Sequence, residues 1–152
     1  LRTVKTLTDF ESRRQQLDLV RLHTECERNY RRLYQLFPDS DLADAQVAIQ
    51  YRDKSGAGMA LRVLDVAKYT STVQIIADRA GPMWLPEIAI KVRIYRDAQM
   101  AEVIEWCSDR TIPWALVEKS GMQARDEKWQ WNMFLSELLC HGLHHGMTAV
   151  EA

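Results

Sequence analysis

The sequence predicts an α+β fold, an antiparallel five-stranded meander sheet with long N-terminal and C-terminal helices packed on one face. Three observations carry this reading. Apolar residues recur at steps of three and four near both ends of the chain, as on amphipathic helices. Between those stretches lie five runs in which apolar and polar residues alternate, the period of a half-buried strand. Connections between most of the runs are short, which favours neighbouring strands that pair in sequence order, with the helices as a second layer.

Thr8 and Glu11 form a capping-box pattern, the first place a helix can start. The clear stripe begins later, at Leu19, Leu22, Cys26, Tyr30, Leu33 and Phe37, and stops where Pro38 disfavours helical backbone in the residue before it. Residues 1–17 are therefore set apart as an N-terminal extension, frayed or a short helix, ahead of a single α+β domain at 18–152. Asp39, Ser40, Asp41 and Asp44 make a polar turn. An EF-hand calcium loop would also need a turning glycine and a closing bidentate glutamate, and both are missing. Val47, Ile49 and Tyr51 mark the first strand, and Ser55-Gly56-Ala57-Gly58 the hairpin turn after it. Met59–Val66 is the second strand. Tyr69–Ala77 is the third, with Tyr69, Val73 and Ile75 on one face. Gly81-Pro82-Met83-Trp84-Leu85-Pro86 reads as a loop. Ile88–Cys107 supplies the fourth and fifth strands around the tip Tyr95-Arg96-Asp97-Ala98. The long connection Ser108–Ala124 contains one stretch, Ile112–Val117, with the composition of a short extra strand. The last helix runs from about Asp126 to His145. Its stripe is Trp131, Leu135, Leu138 and Gly142, widened by Trp129, Met133 and Leu143, and Gly146 is its C-cap.

The register of the last hairpin follows from its charges. A turn centred on Asp97 and Ala98 pairs Tyr95 with Met100, Ile94 with Ala101, Arg93 with Glu102 and Val92 with Val103. Opposite charges then face each other across the ladder, worth roughly 0.2–1 kcal/mol, whereas a one-residue slip buries Glu102 against Val92. Ile90, Val92, Ile94, Ala101 and Val103 become core. The second face carries Arg93 and Glu102, and with them Tyr95, Met100, Ile104 and Trp106. Either the 108–124 segment or the N-terminal helix covers these residues, or they form a ligand groove or a subunit interface.

Composition narrows the function classes. With 152 residues and a net charge of −1, the chain is of one-domain size and carries no charge excess that calls for nucleic acid or a membrane. It has no apolar run long enough to cross a bilayer and no secretion-signal progression at its start. Its three cysteines, Cys26, Cys107 and Cys140, lack CxxC spacing, which fits reduced thiols in a cytoplasmic protein.

The segments LPEIAIKVRIYRDAQMAEV at 85–103 and RDEKWQWNMFLSELL at 125–139, with the helix end Leu36-Phe37-Pro38 and the strand Lys68–Val73, resemble the YqiB-like family of bacterial proteins of unknown function. The resemblance covers roughly residues 18–150; the first 17 residues and the 108–124 loop fall outside the pattern. Arg93, Tyr95, Asp97, Glu102, Arg125, Asp126, Glu127, Lys128 and His145 stand at motif positions. The family brings no established activity and no catalytic residues. The resemblance implies gene neighbours in nucleotide-sugar hydrolysis and cyclic-nucleotide breakdown, an associative link to nucleotide or signalling metabolism.

Candidate chemistry is sparse. Arg125, Asp126, Glu127 and Lys128 open a helix, where free amides favour an anion, although ordinary capping calls for the same residue types. Cys140 with His144, or His141 with His145, share a helix face, but each pair supplies two ligands where structural zinc takes four and catalytic zinc three. No metal and no cofactor are therefore expected, with His141 and His145 the residues that would hold a metal. There is no GxSxG elbow, Walker loop or GxGxxG. Five tryptophans without a basic groove suit core packing better than base stacking. The expectation is a cytoplasmic, non-catalytic binding or regulatory module for an unknown protein or small-molecule partner. Candidate ligand-binding residues are Arg93, Tyr95, Glu102, Trp106, Arg125, Asp126 and Lys128. The alternatives are a nucleotide-binding protein or small enzyme combining Arg93 or Arg125 with a tryptophan, and a homodimer through the second sheet face.

Overall fold

The computed structural model describes residues 2–52, 57–78, 87–108 and 125–148. Helix α1 spans Arg2–Leu36 without a break, so residues 2–17 continue the helix that carries the predicted stripe. At about 1.5 Å per residue this helix is roughly 50 Å long. Among its described side chains, Cys26, Asn29 and Leu33 toward the C-terminal end are buried, whereas Leu19 and Val20 are 49% and 61% exposed. The stripe thus begins one turn before its cover does. Beyond α1 the chain makes a series of tight turns, in which Ser40 N–H bonds the Phe37 carbonyl and Leu42 N–H the Asp39 carbonyl, the turn chemistry expected of the Asp-Ser-Asp stretch.

The strands are β1 (Gln46–Tyr51), β2 (Gly58–Val66), β3 (Thr70–Asp78), β4 (Glu87–Tyr95) and β5 (Met100–Ser108), followed by helix α2 (Arg125–His145) and β6 (Gly146–Thr148). All neighbours are antiparallel, in the order β5-β4-β3-β2-β1-β6. The five-strand meander is present, but the sheet has six strands. Gly146, expected to cap the helix, instead opens a three-residue strand whose backbone pairs with Tyr51. A Cβ on Gly146 would lie 2.3 Å from the Gly142 carbonyl oxygen and 2.5 Å from Ile49 Cγ2, so the chain turns from helix to strand only with a glycine there. Tyr69 also departs from expectation. It lies in the turn before β3, 54% exposed, and not on the face of Val73 and Ile75. The Gly81–Pro86 loop and the Ile112–Val117 strand lie outside the described residues, as do Ser55 and Gly56 of the turn at 55–58.

One face of the sheet is filled by Ile49, Met59, Leu61, Val63, Val73, Ile75, Ile88, Ile90, Val92, Ile94, Ala101 and Val103. Leu33 and Phe37 at the end of α1 and Leu135, Leu138 and Leu139 of α2 join the same cluster. Helix α2 crosses the whole sheet. Its first turns meet β5, where Asn132 Oδ1 accepts the Val103 N–H at 3.0 Å. Its last turns reach β2 and β1, where Gly142 sits against Met59 and Gly146 against Ile49. None of the helices among the described residues is long and apolar enough to cross a membrane.

Candidate functional site

The hairpin register is the predicted one at its tip: Tyr95 pairs with Met100, Ile94 with Ala101, Arg93 with Glu102 and Val92 with Val103. Beyond Val103 a β-bulge at Ile104 shifts the register, so that Lys91 faces Glu105 and Ile90 faces Trp106. The extra residue reverses which face the rest of the strand presents. Trp106, expected beside Tyr95 on the second face, turns into the core and is 6% exposed. Its indole stacks on Trp131 with centroids 4.7 Å apart, and its Nε1 donates to Glu127 at 3.1 Å. Arg93 and Trp106 therefore lie on opposite faces of the sheet. Lys91 and Glu105 gave the signal that sequence reasoning missed. Without a bulge Lys91 would face Ile104; with it, Lys91 Nζ lies 3.1 Å from Glu105.

The outer face is built from rows of paired residues. Asp65, Thr72, Arg93 and Glu102 form one row across β2 to β5. Gln46, Arg62, Gln74, Lys91 and Glu105 form the next, and Ala48, Ala60, Ile76 and Ala89 a flatter apolar one. Thr72 is buried between its neighbours, but Gln74, Ile76, Lys91, Arg93, Tyr95, Met100 and Glu102 are each half-buried, and the residues of β1 and β2 in these rows are exposed. Leu33 of α1 enters the cluster on the opposite, inner face.

Three of the expected ligand-binding residues meet at the outer end of β4 and β5, and a fourth comes from α2. Tyr95 Oη donates to Glu102 at 2.9 Å, and Lys128 Nζ reaches the other Glu102 oxygen at 3.1 Å. Arg93 stands opposite Glu102 in the ladder. Burial, and then the hydrogen bond to Glu102 and its charge, push the Tyr95 phenol up from its ordinary value, with Arg93 opposing. Tyr95 is thus a stable donor and Glu102 a carboxylate held by two partners. The group is preorganised and polar, with Arg93 at its margin. Arg125 and Asp126 open α2 as predicted, and their side chains lie outside the described residues.

Sequence reasoning did not find the polar seam between the helices. Asn29 and Asn132 are fully buried. Asn29 Nδ2 donates to Ser136 Oγ at 3.0 Å, Ser136 Oγ donates to Glu25 at 2.7 Å, and Arg32 bonds both Glu25 and Asn29, at 3.0 and 2.9 Å. Burial raises the Glu25 carboxyl, but hydrogen bonds from Ser136, Arg32 and Arg28 outweigh it and leave its pKa lowered. Cys26 lies at the same seam. Burial first, and then the Glu102 charge, push its thiol up to about 12, so it is no nucleophile. The available signal was the spacing of Asn29 and Asn132, polar residues within apolar helical stripes.

At the far end of α2, the His141 and His145 rings have centroids 4.7 Å apart, and the Tyr51 ring stands edge-on to His141 at 4.4 Å. Among the described residues no group of three or more His, Cys, Asp or Glu side chains is gathered for a metal ion.

A family model described as a protein of unknown function, DUF1249, matches residues 32–148, which takes in the whole sheet, α2 and the last residues of α1. The chain belongs to the DUF1249 family. Within it, the chain is 30% identical over 129 residues to the uncharacterized protein YqiB of Escherichia coli strain K12, covering 82% of this chain and 88% of that protein. The match to YqiB of Escherichia coli O157:H7 has the same extent. No solved structure matches the chain. The expected resemblance to YqiB-like proteins is thus established, and the DUF1249 family brings no activity with it.

Proposed function

We propose that this DUF1249 member is a non-catalytic binding module that engages a protein partner through the outer face of its sheet, centred on Arg93, Tyr95 and Glu102. One observation carries the reading. The outer face sets half-buried Tyr95, Met100 and Ile76 among charges already neutralised in pairs, Lys91 with Glu105 and Glu102 with Lys128. An aromatic ring, a methionine and an arginine among paired charges are the residue types enriched in protein interfaces. The face is a broad sheet surface, which suits a protein better than a small molecule that needs enclosure. The carboxylates and the thiol closest to it are held rather than poised. Glu102 is tied by Tyr95 and Lys128, and the Cys26 proton is held by burial.

A photo-crosslinking residue in place of Ile76 tests this in cells that express the protein. The expected result is a discrete adduct that disappears when Arg93→Glu is added. An equal yield from the same crosslinker at Leu42, which is 55% exposed outside the sheet, would refute the assignment of the face.

A further inference from the structure

We infer that His141 and His145 form a chelating pair for a divalent transition-metal ion such as zinc, nickel or copper. The two imidazoles stand one helical turn apart on α2, both exposed, with ring centroids 4.7 Å apart. Residues four apart share one helix face, so the two rings can each offer a nitrogen to a single ion, which zinc takes from histidine at roughly 2.0–2.1 Å. Imidazole is a ligand for these metals and not for magnesium or calcium, which select oxygen.

Three features make the pair more than two histidines on a surface. Their helix does not fray at this end. The next residues form β6 on β1, and the His145 carbonyl accepts the Arg52 N–H at 2.8 Å. The two ligand-bearing positions are therefore fixed relative to one another before an ion arrives. The Tyr51 ring, edge-on at 4.4 Å, restricts the His141 imidazole. His145 also lies in the last turn of the helix, where the backbone dipole favours a cation. Two protein ligands leave the remaining coordination positions to water or to an incoming donor, an open ion rather than an enclosed structural one. The site is remote from Arg93 and Glu102 and does not depend on the function proposed above.

Thermal melts of the full chain in zinc chloride, nickel chloride or magnesium chloride test the pair. The expected result is a melting midpoint that rises and saturates with zinc or nickel, is unmoved by magnesium, and loses the rise in both His141→Asn and His145→Asn. His144→Asn, whose ring centroid lies 6.3 Å from that of His145, should keep it. Absence of any rise, an equal rise with magnesium, or a rise that survives either His141→Asn or His145→Asn overturns the inference. Loss of the rise in His144→Asn overturns the ligand assignment.

Discussion

Asn132→Leu should destabilise the protein, and the reason lies at the edge of the sheet. Strand β5 is an edge strand, and the Val103 N–H points away from its ladder. Asn132 Oδ1 accepts that proton at 3.0 Å from a position with no solvent exposure, and it also takes a longer contact of 3.9 Å from the Cys26 thiol. Leucine has nearly the same shape and cannot accept. Water has no access to replace it, so the Val103 amide is left buried and unpaired, which costs about 1–3 kcal/mol. The second bond of Asn132, from Nδ2 to the Lys128 carbonyl at 2.9 Å, adds little, because that carbonyl keeps its helical partner. A loss of about 2 kcal/mol follows, or roughly 4–8 °C in Tm for a chain of this size. Urea denaturation should show a lower midpoint with unchanged slope. Amide exchange separates the mechanism from general loosening: Val103 should lose protection beyond its neighbours in β5. If Asn132→Leu stays within about 0.5 kcal/mol of the parent, the ordinary scatter of neutral surface changes, the edge-capping argument is wrong.

Other outcomes follow from neighbouring contacts. Because the Glu25 pKa is lowered in the folded chain, the stability it confers is present above its unfolded value and is lost as pH falls through the folded one; denaturation midpoints should drop over that acid range, and Glu25→Gln should flatten the drop. Gly146→Ala drives a Cβ into backbone at the helix-to-strand turn and should cost about 1–3 kcal/mol, with lost amide protection at Arg52, whose N–H bonds the His145 carbonyl beside Gly146. Trp106→Ala removes a buried ring and its stacking partner's support, for a loss of about 3–5 kcal/mol by chemical denaturation. Tyr95→Phe deletes one exposed-side donor to Glu102 and should change stability by no more than about 1 kcal/mol, which makes it a clean probe of partner binding.

The parts of the fold that were legible in sequence were those set by local period and local charge. Alternation placed β1 to β5, steps of three and four placed both helices, and Arg93 opposite Glu102 set the hairpin register. Two features escaped because they depend on tertiary pairing. Gly146–Thr148 is too short to show alternation and is a strand only because β1 offers it an edge. The bulge at Ile104 inserts one residue into an otherwise regular run, and the count of residues does not reveal which of Val103 and Ile104 is the extra one. The same parity error moved Trp106 to the wrong face, while Arg93, Tyr95 and Glu102, on the hairpin side of the bulge, were placed together correctly. Lys128 joins them through the path of α2 over β5, a contact no local pattern encodes.

The path of α2 also bears on which surface is free for a partner. Unpaired strand edges invite pairing with another chain, and proteins cover or blunt them. Here one helix deals with both edges. Near its start Asn132 occupies the Val103 N–H of β5, and at its end the chain continues directly into β6, which fills the β1 edge from Ile49 to Tyr51. The inner face is filled by the helices. A second copy that extended the sheet at Val103 would first have to displace Asn132, giving up the bond whose loss is worth about 2 kcal/mol above. The proposed partner surface, the outer face where Arg93, Tyr95 and Glu102 stand in rows held by the strands beneath them, needs no such displacement. Asn132→Leu tests this division as well. Leucine still fills the place beside Val103, so the elution profile should stay independent of concentration and the Arg93-dependent crosslink at Ile76 should remain in place.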